Sequence, residues 1–114
     1  MAIKYYEIPD KRQVIAVLNN CKFDAYNKID KALSATNLVL VEPDSTKRDR
    51  YLMPDTFKVT VTCDPRDTYD IEEGKKIAKK RLMKNYYKSL DKKLYAFQKE
   101  IFNLAKNVGI EMYE

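Results

Sequence analysis

The chain has 114 residues, with 22 Lys and Arg against 17 Asp and Glu and a formal net charge of +5. It contains no His and only two Gly, so the commonest general base and zinc ligand is missing and no glycine-rich phosphate cradle can be built. Its two cysteines, Cys21 and Cys63, are too few and too far apart for a disulfide framework or a metal knot, and are expected as free thiols.

This length suits one domain with a modest core. Met1 to Lys4 runs straight into a strand-like segment with no apolar stretch behind it, so no secretory signal is expected, and no apolar run is long enough to span a membrane.

Ile3 to Ile8 and Gln13 to Leu18 read as two strands of a hairpin, joined by the polar, Pro-Asp-initiated turn Pro9 to Arg12. The unbroken apolar run Val14 to Leu18 predicts a central strand covered on both faces. Asn19-Asn20 ends it. Asp24 is placed to cap a helix from Ala25 to Leu33, with Ala25, Ile29, Ala32 and Leu33 on one face. Leu38 to Val41 reads as a further strand, stopped by Glu42-Pro43. The charged stretch Asp44 to Arg50 is read as a loop, either a solvated tip or a flap over an anionic ligand.

Phe57, Val59 and Val61 alternate with Lys58, Thr60 and Thr62, the period of a half-buried strand, and Pro65 predicts its end near Cys63. Asp70 and Glu73 have capping-box spacing before a helical pattern. From Ala78 the residues Leu82, Tyr86, Leu90, Leu94, Phe97, Ile101 and Ala105 follow at intervals of three or four. Ile77, Ala78 and Leu82 are expected to pack on the sheet, and Gly74 to let the helix backbone approach it. Asp91 after Ser89 suggests a bend and a second helix, the alternative being one helix of over thirty residues, and Gly109 is a candidate end. The expected fold is therefore α+β, an antiparallel sheet with helices on one face in the order β-β-α-β-β-α-α. The apolar surplus on Leu94, Phe97, Ile101, Phe102 and Met112 predicts a homodimer or higher homo-oligomer.

Two constellations bear on function. Lys75, Lys76, Lys79, Lys80, Arg81, Lys84, Lys88, Lys92, Lys93 and Lys99 face the single acid Asp91 between Gly74 and Lys99. That polarised charge is either a solvated helix face or an anion-binding surface, and the excess of Lys over Arg argues against base reading. The turn Cys63 to Asp70 offers Arg66 as a phosphate clamp, Asp67 or Asp64 as acceptors for hydroxyls or amines, and Tyr69 as a stacking ring. Equally, Asp residues shape turns and cap helices, and Tyr69 could staple the helix to the sheet. Neither a metal nor a cofactor is expected, nor catalysis.

The unit FKVTVTCDPRDTYDIEEGKKIAKKR, Phe57 to Arg81, looks like a strand–C-x-P-x-D–helix unit of small phage and prophage proteins. It resembles the C-terminal unit of phage anti-Thoeris sponge proteins, which sequester cyclic ADP-ribose-type signals. A similar strand-to-helix step occurs in small bacterial proteins with a double-stranded-RNA-binding-domain-like fold. The resemblance covers roughly a fifth of the chain. It implies a non-catalytic anti-defence protein in the cytoplasm of a bacterial host, with a small nucleotide-derived ligand at the turn Asp67 to Asp70 and at Arg81. In that reading Arg66, Lys80 and Arg81 hold phosphates, Tyr69 stacks, and Asp67 fixes a sugar or base edge. The alternatives are a basic nucleic-acid-binding protein using Lys75, Lys76, Lys79, Lys84 and Lys88, and a protein-binding inhibitor of a host defence complex.

Overall fold

The computed structural model describes residues 2–35 and 50–107. Its elements are strands β1 (Ile3–Ile8), β2 (Gln13–Leu18) and β3 (Phe57–Thr62), with helices α1 (Asp24–Ala35) and α2 (Ile71–Asn107). The α+β class and the antiparallel sheet are as expected, but among the described residues the order is β-β-α-β-α. The strand expected at Leu38 to Val41 and the helix end at Gly109 lie outside the described residues, as do Met112 and most of the charged stretch before Arg50. The two C-terminal helices are one: the helical run passes Ser89 and Asp91 unbroken. Leu82, Tyr86 and Leu90 keep their four-residue spacing through that point, so the apolar face continues and the Asp91 side chain stays exposed.

The described residues fall into two compact units. The first holds residues 2–22 and 54–88. In its sheet, ordered β1-β2-β3, both pairings are antiparallel. Pro9 to Lys11 form one 3-10 turn of the hairpin, and Arg12 closes it in the left-handed conformation, φ 53° and ψ 45°. Beyond β2, the Cys21 N–H donates to the Asp55 carbonyl at 2.9 Å, tying the exit of one strand to the approach of the next.

Register places Ile3, Tyr5 and Glu7 beside Leu18, Ala16 and Val14, and these beside Phe57, Val59 and Val61, all on one face. Val14, Ala16, Leu18 and Val61 are buried there under Ala78, Leu82 and Tyr86 of α2. Tyr86 meets Phe57 edge to face, with ring centroids 5.8 Å apart. A Cβ on Gly74 would stand 2.7 Å from Val14 Cγ2, so this helix turn lies against the strand backbone because residue 74 has no side chain. Ile77 is not in this core. The inward line is 74, 78, 82 and 86, and Ile77 points to the side of it, 36% exposed. Nor is β2 covered on both faces: Gln13, Ile15 and Val17, on the other face, are only half-buried.

In the second unit, residues 23–35, 50–53 and 89–107, α1 buries Ala25 and Ile29, but Ala32 is exposed. Asp24 is the first helical residue rather than the cap preceding it. Tyr51, Met53 and Leu90 are buried, and Tyr51 packs edge to face on Phe97, centroids 5.6 Å apart. Arg50 pairs with Glu100 at 3.1 Å. Burial, and then the nearby Glu100 charge, push the Tyr51 hydroxyl pKa up.

Candidate functional site: a groove and a lysine row on the first unit

Where β3 ends and α2 begins, a groove of about 580 Å³ opens. Val61, Thr62 and Cys63 line it from the strand, Asp64 and Asp67 to Asp70 from the turn, and Glu73, Gly74, Ile77 and Arg81 from the helix, with Arg12 and Val14 from β2 and its approach. The Asp70 half of the expected capping box is in place at the helix start. Asp70 Oδ1 accepts from the N–H groups of Glu72 at 3.0 Å and Glu73 at 3.4 Å, satisfying two first-turn donors.

Arg12 organises the turn. Its guanidinium donates to the main-chain carbonyls of Asp67 and Asp64 and to Cys63 Sγ, the last at 3.4 Å. Its own carbonyl accepts from the Cys63 N–H at 2.9 Å. Its Nε–H is buried with no acceptor among the described residues. The guanidinium carbon also lies 5.8 Å from the centre of the Tyr69 ring, and the Tyr69 hydroxyl donates to Glu7 Oε2 at 2.7 Å. That hydrogen bond to a carboxylate is the main reason its pKa is pushed up to about 12. Tyr69 thus staples the turn to β1. No sequence signal marks Arg12, because its three acceptors are more than fifty residues away in the chain.

The structure brings four of the six turn-site candidates, Asp67, Tyr69, Asp70 and Arg81, into the groove. Arg66 and Lys80 do not line it. Asp64 accepts the Arg66 N–H at 2.9 Å and its guanidinium at 3.2 and 3.0 Å, leaving the Arg66 side chain 88% exposed. That pairing holds the Asp64 carboxyl below the usual carboxylate range. Among the described residues, no three His, Cys, Asp or Glu side chains converge as a metal-ligand set.

The lysines have a different geometry. Lys76, Lys80, Lys84 and Lys88 recur every four residues, all exposed. At 1.5 Å per residue they form a row about 18 Å long, roughly 200° around the helix from the buried 74–78–82–86 line. None of the four is ion-paired among the described residues. Lys79 and Arg81 are exposed to either side. Lys75 is tied down instead, over the Tyr5 ring at 5.8 Å and 3.8 Å from Glu72. Tyr87, 58% exposed, lies within the row. In the second unit Lys92 and Lys99 are exposed and Lys93 is half-buried. Among the described residues no helix is long and apolar enough to cross a membrane.

Comparison with known protein families, with curated proteins and with solved structures finds no match to this chain.

Proposed function

We propose that the protein is a non-catalytic nucleic-acid-binding protein that grips the phosphate backbone with the Lys76–Lys80–Lys84–Lys88 row. The observation that carries this reading is the row itself: four exposed cations in register with no carboxylate between them, the nearest helix acids, Glu72, Glu73 and Asp91, standing only at its two ends. Like charges at i and i+4 destabilise a helix by roughly 0.2–0.5 kcal/mol a pair, so the chain holds this row against its own stability. Lysine is a point charge without a guanidinium's fork, so binding is independent of base sequence. The test is fluorescence anisotropy with labelled nucleic acid of several sequences over a salt series. Affinity should fall steeply with salt and vary little with sequence, and Lys80→Glu with Lys84→Glu should abolish binding of duplex probes. A flat salt response in the wild type would refute the reading.

A second reading has its own support. The groove is of small-ligand size, and the buried Arg12 Nε–H beside it, without an acceptor among the described residues, would suit an anionic atom. A phage protein sequestering a nucleotide-derived signal in a bacterial host would place a phosphate near Arg12 and Arg81 and a sugar edge at Asp67. The carboxylates of Asp67, Asp70 and Glu73 around the same groove weigh against a multiply charged anion, which is why this reading stands second. Mass spectrometry of small molecules released on denaturing the purified protein tests it. Self-association through Leu94, Ile101 and Phe102, which are 38, 40 and 47% exposed, is also proposed. Light scattering giving the mass of a single chain at micromolar concentration would refute that.

A further inference from the structure

Among the described residues, the strands carry no acid on the face of the sheet turned away from α2. Register sets Lys4, Val17 and Lys58 side by side across the three strands, and Tyr6, Ile15 and Thr60 in the next row. Tyr6 is 51% exposed, Lys4, Lys58 and Thr60 are exposed, and Ile15 and Val17 form a half-buried apolar floor. Strands lie about 4.8 Å apart, so the two lysines flank that floor at about 10 Å, and Tyr6 follows Lys4 about 7 Å along its strand. This face offers an open aromatic ring, a flat apolar surface and two cations, and its positive charge complements a phosphate chain.

We propose that this sheet face is a second nucleic-acid site, one that takes unpaired bases. A base stacks on Tyr6, its neighbour lies over Ile15 and Val17, and Lys4 and Lys58 meet the flanking phosphates. A duplex keeps its bases stacked on one another and cannot offer them, so the site selects single strands. It lies on the opposite side of the first unit from the lysine row, so one chain could hold two segments of nucleic acid. The inference rests on the nucleic-acid reading above for the kind of ligand, but not for the residues that bind it.

The experiment uses the full chain with two probes: a 12-nucleotide single strand of dT carrying a central 2-aminopurine, whose fluorescence is quenched by stacking, and a labelled 12-base-pair duplex. Tyr6→Leu keeps an apolar residue on the strand but removes the stacking ring. It should weaken single-strand binding about five- to 150-fold and remove the quenching, while duplex affinity stays as in the wild type. Lys80→Glu with Lys84→Glu should do the reverse, losing the duplex and keeping the quenching. Matching circular dichroism melts check that each variant folds. The proposal is overturned, with the lysine row still standing, if Tyr6→Leu leaves single-strand affinity and quenching unchanged. Loss of the quenching in Tyr87→Leu instead would also overturn it, placing the stacking on the helix. A wild-type self-association that Tyr6→Leu disrupts would overturn it too, by giving the face to a second copy. Binding of neither probe by the wild type would overturn both readings together.

Discussion

A side chain at residue 74 would collide with Val14: its Cβ would lie 2.7 Å from Cγ2 and 3.4 Å from Cβ of that valine. Val14 is 1% exposed and β-branched, so it has no easy rotamer to retreat into. Gly74→Ala would gain about 0.5–1 kcal/mol of helix propensity, but overpacking costs about 1–3 kcal/mol, so the mutant should be less stable and Gly74→Val less stable still. Chemical denaturation measures both. The partner change is diagnostic. Adding Val14→Ala to Gly74→Ala should cost less than the sum of the two single changes, because the cavity left by one receives the methyl of the other. Strict additivity would show that the helix does not approach the strand this closely.

Arg12 combines an unfavourable backbone with a favourable side chain. Its left-handed conformation costs an ordinary residue about 1–2 kcal/mol, whereas glycine adopts it freely. Arg12→Ala keeps that cost and loses the guanidinium contacts, while Arg12→Gly loses the contacts and removes the cost. Stability should therefore fall in the order wild type, Gly, Ala. Arg12→Lys should not restore the wild-type value, since an ammonium cannot spread over the Asp64 and Asp67 carbonyls as the planar fork does. Urea midpoints of the four proteins decide the order.

The Tyr69–Glu7 bond gives a pH signature. The hydroxyl pKa is about 12 in the folded chain against an ordinary value near 10, so folding favours the protonated phenol. The stabilisation is complete below about pH 10 and is lost as pH rises towards 12. Tyr69→Phe has no such proton to lose. The stability difference between wild type and Tyr69→Phe should therefore be constant through neutral pH and shrink between pH 10 and 12. A difference that holds steady across that window would mean the hydroxyl does not donate to Glu7.

Much of this was legible in the residues themselves, and the misses have physical causes. The hairpin strands follow from Pro9-Asp10 between two strand-forming runs, and the start of α2 from a carboxylate two and three residues ahead of the amides it caps. Gly74 was readable because a glycine one turn into a strong helix needs a packing reason. Ser89 and Asp91 misled because they favour caps in isolation, whereas the apolar spacing of Leu82, Tyr86 and Leu90 decides where packing continues. The run Val14 to Leu18 cannot say whether one face or both are covered, since apolar residues are needed on each covered face and tolerated on the other. In the groove, Asp70 acts locally and was found. Arg12 acts on carbonyls more than fifty residues away, and local sequence does not encode such partners.

The lysine row separates function from fold by sign. Lys80 has a like charge four residues to either side, at Lys76 and Lys84. Lys80→Glu removes two repulsive pairs and creates two attractive ones, each worth roughly 0.2–0.5 kcal/mol, so the variant should be about 1 kcal/mol more stable than wild type at low salt. Salt should shrink that gain, because all three side chains are exposed. If the row binds a phosphate backbone, the same substitution should weaken binding for every sequence and reduce the salt slope by about one contact, close to 0.9 for a duplex. A merely solvated helix face would show the gain in stability with no loss elsewhere. Thermal melts and anisotropy titrations on one pair of proteins, at two salt concentrations, therefore decide between a surface kept for binding and one that is only soluble. A variant that is both more stable and binding-deficient identifies the row as the functional surface, because no loss of structure can explain its loss of affinity.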